Sequence, residues 1–111
     1  MIIEMLGVSV TEEKVRELGR AFASLVGPIQ VEPGCLSCRL LQSWTNPEAL
    51  QMETRWESHD ALMRHLKSDL YKRLLLLMEL SASPPMLEFL TVNELRGLDL
   101  VEEARPIVPR E

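Results

Sequence analysis

Hydrophobic residues along the first 94 or so positions fall into segments of two kinds, separated by polar or proline-containing stretches. Alternation with a period of two predicts β-strands, and a spacing of three or four predicts helices. One helical region lies between the first and second strands, and another lies between the third and fourth strands. The resulting order is β-α-β-β-α-β. The strands are expected over Ile2 to about Ser9, from Cys35 to Trp44, over Ala49 to Trp56 and over Met86 to Asn93.

The two helical regions carry recognisable start and stop signals. Thr11 is expected to cap the first helix, and Gly27-Pro28 is expected to end or kink it. The second is expected to begin at Ser58, to break at Lys67-Ser68-Asp69 and to resume from Leu70 to Leu80. An apolar stripe predicts that the first helix packs on the sheet. Its members are Val15, Leu18, Phe22, Leu25, Val26 and Ile29.

This order of elements is typical of a ferredoxin-like α+β sandwich, a four-stranded antiparallel sheet with two helices on one face. The first strand places Leu6 and Val8 on one side and Ile3 and Met5 on the other, so both faces carry apolar groups. A sheet with one wet face would alternate more cleanly. We therefore expect residues 1–94 to form one domain whose free face is covered by a second copy, with a pocket between sheet and helices.

Charge predicts how the second and third strands pair. If Trp44 lies opposite Glu48, Arg39 lies opposite Glu53, whereas a shift of two residues places Arg39 opposite Arg55. Like charges directly opposed are destabilising. We therefore predict the pairing of Arg39 with Glu53.

Residues 95–111 form a C-terminal tail in which apolar side chains alternate with charges and prolines. A tail with this apolar content seldom remains unpacked, so we predict that part of it packs on the partner subunit. The apolar residues are Leu98, Leu100, Val101, Ile107 and Val108.

Composition excludes several classes of protein. The 111 residues are 46% hydrophobic with a net charge of −5, and the basic residues are scattered, which argues against nucleic-acid binding. The residues after Met1 do not show the basic, apolar and small-residue pattern expected of a leader segment, and the longest apolar run, Leu74 to Met78, is too short to span a bilayer. We expect a cytoplasmic protein whose two cysteines are thiols and which does not bind a membrane.

Several short motifs, in the right order, resemble the antibiotic biosynthesis monooxygenase family. They are Pro33-Gly34-Cys35-Leu36-Ser37, Asn46-Pro47, and residues 55–62 (RWESHDAL) followed by His65-Leu66-Lys67-Ser68. The resemblance covers about residues 2–94 and implies a dimeric α/β barrel. Proteins that share this fold include oxygenases that oxidise quinols or anthrones without metal or flavin, haem-degrading enzymes and isomerases of small ligands. Many other members have no assigned activity.

A cofactor-independent oxygenase needs a base and hydrogen-bond donors for an oxyanion in a dry pocket. The resemblance makes His65 the candidate base. The alternative is that His65 pairs with Asp69 at the surface or is a satisfied boundary residue. His59, in the first turn of its helix, is assigned no role.

Three aromatic residues can donate a hydrogen bond while presenting a flat apolar wall: Trp44, Trp56 and Tyr71. Trp44 and Trp56 share a parity with Leu36 and Leu40, so both are expected to face the helices and to bind substrate. The alternative is that the tryptophans belong to the core and that Tyr71 is a boundary residue.

Cofactor and metal sites are not expected. Cys35 and Cys38, three apart on a strand, should point to opposite faces, and no second cysteine pair is present for zinc. Haem degradation is disfavoured because Leu75 stands where haem-degrading relatives carry the axial histidine.

The sequence thus predicts a homodimeric, cofactor-independent monooxygenase that oxidises a small quinol-like aromatic with molecular oxygen. Two alternatives stay open. One is a non-catalytic or stress-related dimer that binds a small hydrophobic molecule. The other is an isomerase or lactone-processing enzyme.

Overall fold

The computed structural model describes residues 1–106. It contains four strands and four helices in the order β1-α1-β2-β3-α2-α3-β4-α4. The strands are β1 (Ile2–Ser9), β2 (Cys35–Gln42), β3 (Ala49–Trp56) and β4 (Met86–Thr91). The helices are α1 (Val15–Gln30), α2 (His59–Leu66), α3 (Asp69–Met78) and α4 (Leu98–Ala104).

The four strands form one antiparallel sheet in the order β2-β3-β1-β4, which confirms the ferredoxin-like fold. The predicted register is confirmed, because Arg39 lies opposite Glu53 and its Nη2 is 3.1 Å from Glu53 Oε1. Arg55 Nε lies 3.0 Å from the same oxygen. Burial raises the pKa of Glu53, but the hydrogen bonds from Arg55 and Arg39 outweigh it and hold that pKa below its usual value.

Helices α1, α2 and α3 cover one face of the sheet, and the core lies between them. Residues with even numbers in β1 and β3, such as Leu6 and Met52, point toward the helices, and all of them except the partly buried Ile2 are buried. The α1 residues buried against them belong to the predicted stripe: Leu18, Phe22, Leu25 and Ile29.

Helix α1 differs from its prediction at both ends. It begins at Val15, whose N–H donates a hydrogen bond to the Thr11 carbonyl oxygen at 3.0 Å. Thr11 therefore contacts the start of the helix through its backbone, and its side chain does not form the predicted cap. It continues through Pro28 to Gln30. The proline ring fixes a helical φ and removes one hydrogen bond, and the complete burial of Ile29 holds the last turn in place.

Strand β2 also differs from its prediction. It ends at Gln42, so Trp44 lies beyond the strand with 97% of its surface exposed and does not face the helices. An irregularity lies between Cys35, opposite Trp56, and Ser37, opposite Arg55. Because an extra residue in a bulge reverses the alternation, Cys35 and Cys38 point to the same, helix-side face, and the prediction of opposite faces was wrong. Both thiols are free.

The break in the second helical region is confirmed. Ser58 and Ser68 each accept a hydrogen bond from the backbone N–H three residues on, those of Ala61 and Tyr71, and so cap α2 and α3. Within α3, Leu74 is fully buried but Leu75 and Leu76 are 45% and 57% exposed, so this chain alone does not bury the leucine run on all sides.

Strand β4 is the edge strand without helix cover, and all six of its residues are exposed. It ends at Thr91, two residues before the predicted end. Phe89 and Leu87 lie opposite Glu4 and Leu6 of β1, so these two apolar side chains are on the helix side of the sheet. They form an open apolar strip beside the core.

The tail contains a helix that the sequence analysis did not predict. Arg96 contacts the carboxylates of Glu94, Asp99 and Glu103 at the start of α4, which has no buried residue. The radius of gyration is 17.4 Å, against about 13 Å for a compact domain of this length. The tail therefore extends away from the sheet, and its packing on a partner stays a prediction.

Residues 107–111, with the apolar Ile107 and Val108, lie outside the described residues. None of the helices in residues 1–106 combines the length and the apolar composition that crossing a membrane requires.

Candidate functional site

One end of the core is polar. Glu4, Thr54 and His65 are buried there beside the aromatic rings of Trp56 and Tyr71, with relative exposures of 5% or less. We call these five residues the polar cluster. They come from four elements, β1, β3, α2 and α3, that the sheet and its helix layer bring together.

Glu4 is the centre of the polar cluster. Its position opposite Thr54 points its side chain toward the helices, where Leu6 and Val8 are apolar. Glu4 Oε1 accepts a hydrogen bond from Thr54 Oγ1 at 3.0 Å, and Oε2 accepts one from the Tyr71 hydroxyl at 2.7 Å. Trp56 Nε1 donates to Thr54 Oγ1 at 2.9 Å, so the threonine proton is committed to Glu4. These bonds offset the cost of burying a carboxylate.

His65 lies between two carboxylates, and its side chain is completely buried. Its Nδ1 is 2.7 Å from Glu32 Oε2, and its Nε2 is 3.3 Å from Glu4 Oε1. The ring stacks on Trp56 at 4.3 Å between centroids and meets the edge of Tyr71 at 5.0 Å. Carboxylates and rings thus fix the orientation of the imidazole from all sides.

A tight turn places Glu32 against His65. The N–H of Cys35 donates to the Glu32 carbonyl oxygen at 3.1 Å, with Pro33 and Gly34 between them. Gly34 has φ +82°, and a Cβ at this position would collide with Ala61, one helical turn before His65 on α2. Glycine is needed both for the backbone conformation and for the close approach of the turn to α2.

Burial controls the ionisation of the other groups near the polar cluster. Desolvation raises the pKa of the Tyr71 hydroxyl, and its hydrogen bond to Glu4 raises it further, so Tyr71 keeps its proton and donates it. Desolvation also raises the pKa of Cys38 to about 12. Tyr71 is therefore a hydrogen-bond donor to Glu4 within the polar cluster.

Comparison with known proteins assigns the chain to a family. The model of the antibiotic biosynthesis monooxygenase family matches residues 1–75. The chain belongs to this family. A search of the curated proteins found no match.

Solved structures of other proteins share the fold. A Deinococcus radiodurans protein named a "putative antibiotic biosynthesis monooxygenase" is 17% identical, with a TM-score of 0.78 over 87% of this chain and 97% of its own. A Caulobacter crescentus protein with the same name is 27% identical, with a TM-score of 0.74 over 84% and 90%. A conserved Methanosarcina mazei protein is 28% identical, with a TM-score of 0.72 over 81% and 91%.

Three of the four site residues predicted for this monooxygenase-family chain lie together: His65, Trp56 and Tyr71. Trp44 does not join them. It follows the end of β2 where Gln42 pairs with Leu50, whereas the polar cluster lies at the level of Thr54 and Trp56, at least 13 Å away along the sheet at about 3.3 Å per residue.

The surface alternatives for His65 do not hold in this structure. His65 is 1% exposed and contacts Glu32, not Asp69. His59, which was assigned no role, is exposed.

The sequence analysis missed Glu4, Glu32 and Thr54. Glu4 carried a signal, because a carboxylate on the apolar parity of a central strand must be buried with partners. Glu32 carried none, since its contact with His65 joins residues 33 positions apart through a turn.

The polar cluster fills the space where a pocket was predicted. Four surface cavities of about 300 to 610 Å³ on the described chain have none of its residues in their linings. The largest of these lies at the other end of the sheet, beside Gly7, Gln51 and Met86. The open apolar strip of β4 lies beside the polar cluster, since Phe89 pairs directly with Glu4.

No three His, Cys, Asp or Glu side chains in residues 1–106 are arranged to hold a metal ion. Glu4 and Glu32 face different nitrogens of His65, so the three groups do not converge on one point.

Proposed function

We propose that the protein is a cofactor-independent monooxygenase that oxidises a small, quinol-like aromatic with molecular oxygen. The proposal is supported by family membership together with one observation: a buried histidine between two carboxylates, joined through Glu4 to the hydroxyl of Tyr71. Such an enzyme must ionise the substrate hydroxyl so that the electron-rich ring can reduce oxygen, and this step needs a base shielded from water.

The substrate lies on the apolar strip of β4, with its ring against Leu87 and Phe89. Its hydroxyl reaches the Tyr71 hydroxyl, and His65 acts as the base through Glu4. Trp56 holds the imidazole by stacking. Because the polar cluster is enclosed, substrate binding moves Phe89 or α3 enough to admit the hydroxyl group.

The protein acts as a homodimer in this proposal. Its outward sheet face carries apolar side chains beside the Arg39 and Arg55 pairs with Glu53, and Leu41, Met86 and Leu90 there are 37% to 42% exposed. A second copy would cover this face. The cytoplasmic location expected from the sequence also stays a prediction.

The closure of the polar cluster favours a second candidate function, a non-catalytic dimer that binds a small hydrophobic molecule. Trp56 is 0% exposed and His65 1%, so neither touches solvent as the chain stands. In that case the apolar strip of β4 alone would contact the ligand, and the polar cluster would be structural.

Oxygen uptake with a panel of quinols separates the two functions. The wild type should consume oxygen with at least one quinol, and His65→Ala should reduce the rate by roughly 10²-fold or more, the scale of general acid–base catalysis. His59→Ala is the matched control, since it removes the exposed histidine, and its rate should equal that of the wild type. Circular dichroism checks that each variant is folded.

One result would overturn the monooxygenase proposal: an absence of oxygen uptake with every quinol while calorimetry detects quinol binding, which supports the non-catalytic candidate. An equal rate of oxygen uptake in folded His65→Ala and in the wild type would instead overturn the role of His65 as the base.

A further inference from the structure

We propose that Tyr71, Glu4, His65 and Glu32 form a proton relay, in which Glu4 receives the substrate proton and Glu32 releases it to water. The inference rests on the proposed function for the origin of the proton. Its structural content, a proton shared between Glu4 and His65, can be tested without any turnover.

The first step of the argument is the order of the groups. The Tyr71 hydroxyl contacts Glu4 Oε2, Glu4 Oε1 faces His65 Nε2, and His65 Nδ1 contacts Glu32 Oε2, at 2.7, 3.3 and 2.7 Å. The first and last of these contacts are hydrogen bonds, and the middle one is a close approach without an aligned hydrogen bond, so the four side chains follow one another along a single path.

The different solvent exposure of the side chains indicates at which end of the path a proton reaches water. The side chains of His65 and Glu4 are 0% and 2% exposed, whereas that of Glu32 is 16% exposed. Glu32 is therefore the member of the path that water reaches. Tyr71 stands at the opposite end of the path, where its hydroxyl contacts Glu4, the residue that pairs with Phe89 of β4.

One buried atom without a hydrogen-bond partner identifies the contact at which a proton is shared. His65 Nε2 is the one buried side-chain nitrogen or oxygen in residues 1–106 without an aligned hydrogen-bond partner, although Glu4 Oε1 is only 3.3 Å away. Glu32 is the acceptor for an Nδ1 proton. If Nε2 and Oε1 both lacked a proton, two lone pairs would face each other in a desolvated site. One proton between them removes this conflict.

Proton transfer along the path is balanced. The substrate hydroxyl gives its proton to the Tyr71 oxygen as Tyr71 passes its own proton to Glu4 Oε2. The proton between Oε1 and Nε2 moves onto Nε2, and Nδ1 gives its proton to Glu32, which releases it to water. One proton leaves the substrate, one enters solvent, and no electron moves in these steps.

The other ionisable groups around the path do not replace its members. Cys35 and Cys38 of β2 face the same side, but burial raises the pKa of both thiols, so they keep their protons. Thr54 has its proton committed to Glu4.

Nitrogen NMR of protein labelled with ¹⁵N-histidine tests the shared proton directly. The chain has two histidines, so exposed His59 supplies the reference signal in the same spectrum. In the wild type, Nδ1 of His65 should show a bound proton, and the Nε2 resonance should lie between those of a bare and a protonated nitrogen, because its proton is shared with Glu4. Glu4→Gln should leave His65 with its proton on Nδ1 and a bare Nε2, and Glu48→Gln, at an exposed site, should change nothing.

The relay is overturned if wild-type His65 has a bare Nε2 that Glu4→Gln does not alter. A static pair of Glu4 and His65 would give the same spectrum, so the turnover of Glu32→Gln distinguishes the relay from such a pair. If Glu4→Gln does not fold, Glu32→Gln gives the second test, since it should remove the preference for a proton on Nδ1 and leave the Glu4 contacts intact.

Turnover provides a separate measurement. With any quinol that the wild type oxidises, Glu32→Gln should lower kcat by roughly 10-fold or more with little change in KM and should alter the pH profile, while Glu48→Gln matches the wild type. An unchanged kcat and pH profile in Glu32→Gln would overturn the relay and leave the monooxygenase intact. Absence of turnover in the wild type would overturn the function, and the NMR result would still decide on the shared proton.

Discussion

The core under the helices has two ends of opposite character. At one end, Leu6, Val8, Met52 and Phe22 belong to a cluster of buried hydrophobic side chains. At the other end, the same strands place Glu4 and Thr54 among His65 and Tyr71. The apolar end stabilises the fold by removing hydrocarbon from water, whereas the polar end must satisfy each buried group with a specific partner.

Under the proposed function, the polar end is the one that performs chemistry. Apolar side chains at positions 4, 54 and 65 could stabilise the fold as well, because a buried ion pair often stabilises no more than a well-packed hydrophobic replacement. The proposal accounts for the closed network of a carboxylate, an imidazole and a hydroxyl at this end of the core.

Phe22→Ala breaks the apolar end and should have the largest effect on stability. Phe22 is 1% exposed, so truncation removes a buried ring and leaves a cavity, at a cost of about 3–5 kcal/mol in the free energy of unfolding. Urea denaturation followed by circular dichroism measures this. The ¹⁵N signals of His65 should not change while the variant is folded, and a loss below about 1 kcal/mol would contradict the assignment of Phe22 to the core.

Gly34→Ala should disturb the turn that places Glu32 against His65 at the polar end of the core. The left-handed backbone costs an alanine about 1–2 kcal/mol, and the collision with Ala61 adds to this, so we expect a loss of about 2 kcal/mol or more. Gly27→Ala is the matched control: it lies in α1 with open space around it, and alanine there should stabilise by up to about 1 kcal/mol. Equal stability of the two variants would show that the turn tolerates a Cβ.

Thr54→Val removes the hydroxyl that joins Trp56 to Glu4 in the polar cluster. The substitution keeps the shape of the side chain but leaves Trp56 Nε1 without its acceptor, at a cost of about 1–3 kcal/mol. In a Trp44→Phe background, which removes the other tryptophan, the fluorescence of Trp56 should shift, because its indole loses its hydrogen bond. An unchanged spectrum and unchanged stability would mean that this link does not hold the tryptophan.

The apolar end could be predicted from sequence because periodicity alone specifies it. The bounds of β1 and β3 were predicted correctly, since they depend on alternation between near neighbours. The pairing of Arg39 with Glu53 was predicted correctly from the repulsion that the shifted register would place between Arg39 and Arg55. The serine caps of α2 and α3 were also local signals.

The polar end could be predicted only in part, because its contacts join residues far apart in the chain. Glu4 and Tyr71 are separated by 67 positions, and only the folded sheet brings them together. Trp44 was misplaced because alternation continued beyond the point where hydrogen bonding of β2 stops, and the bulge near Leu36 was invisible because either parity of that stretch is partly apolar.

The smallest expected effect is a difference in reactivity between the two thiols at the border of the polar end. Only the thiolate reacts with iodoacetamide, and burial raises the pKa of Cys38 to about 12, so at pH 8 almost none of this thiol is ionised. The pKa of Cys35 is also raised by burial, but this residue is partly exposed. In the native protein Cys35 should react slowly and Cys38 more slowly still, and raising the pH should accelerate both reactions. Peptide mass spectrometry after timed quenching measures each rate, with urea-unfolded protein, in which the two rates should be equal, as the reference. Faster modification of native Cys38 than of Cys35 would mean that the core beside Thr54 opens to solvent more readily than its surface.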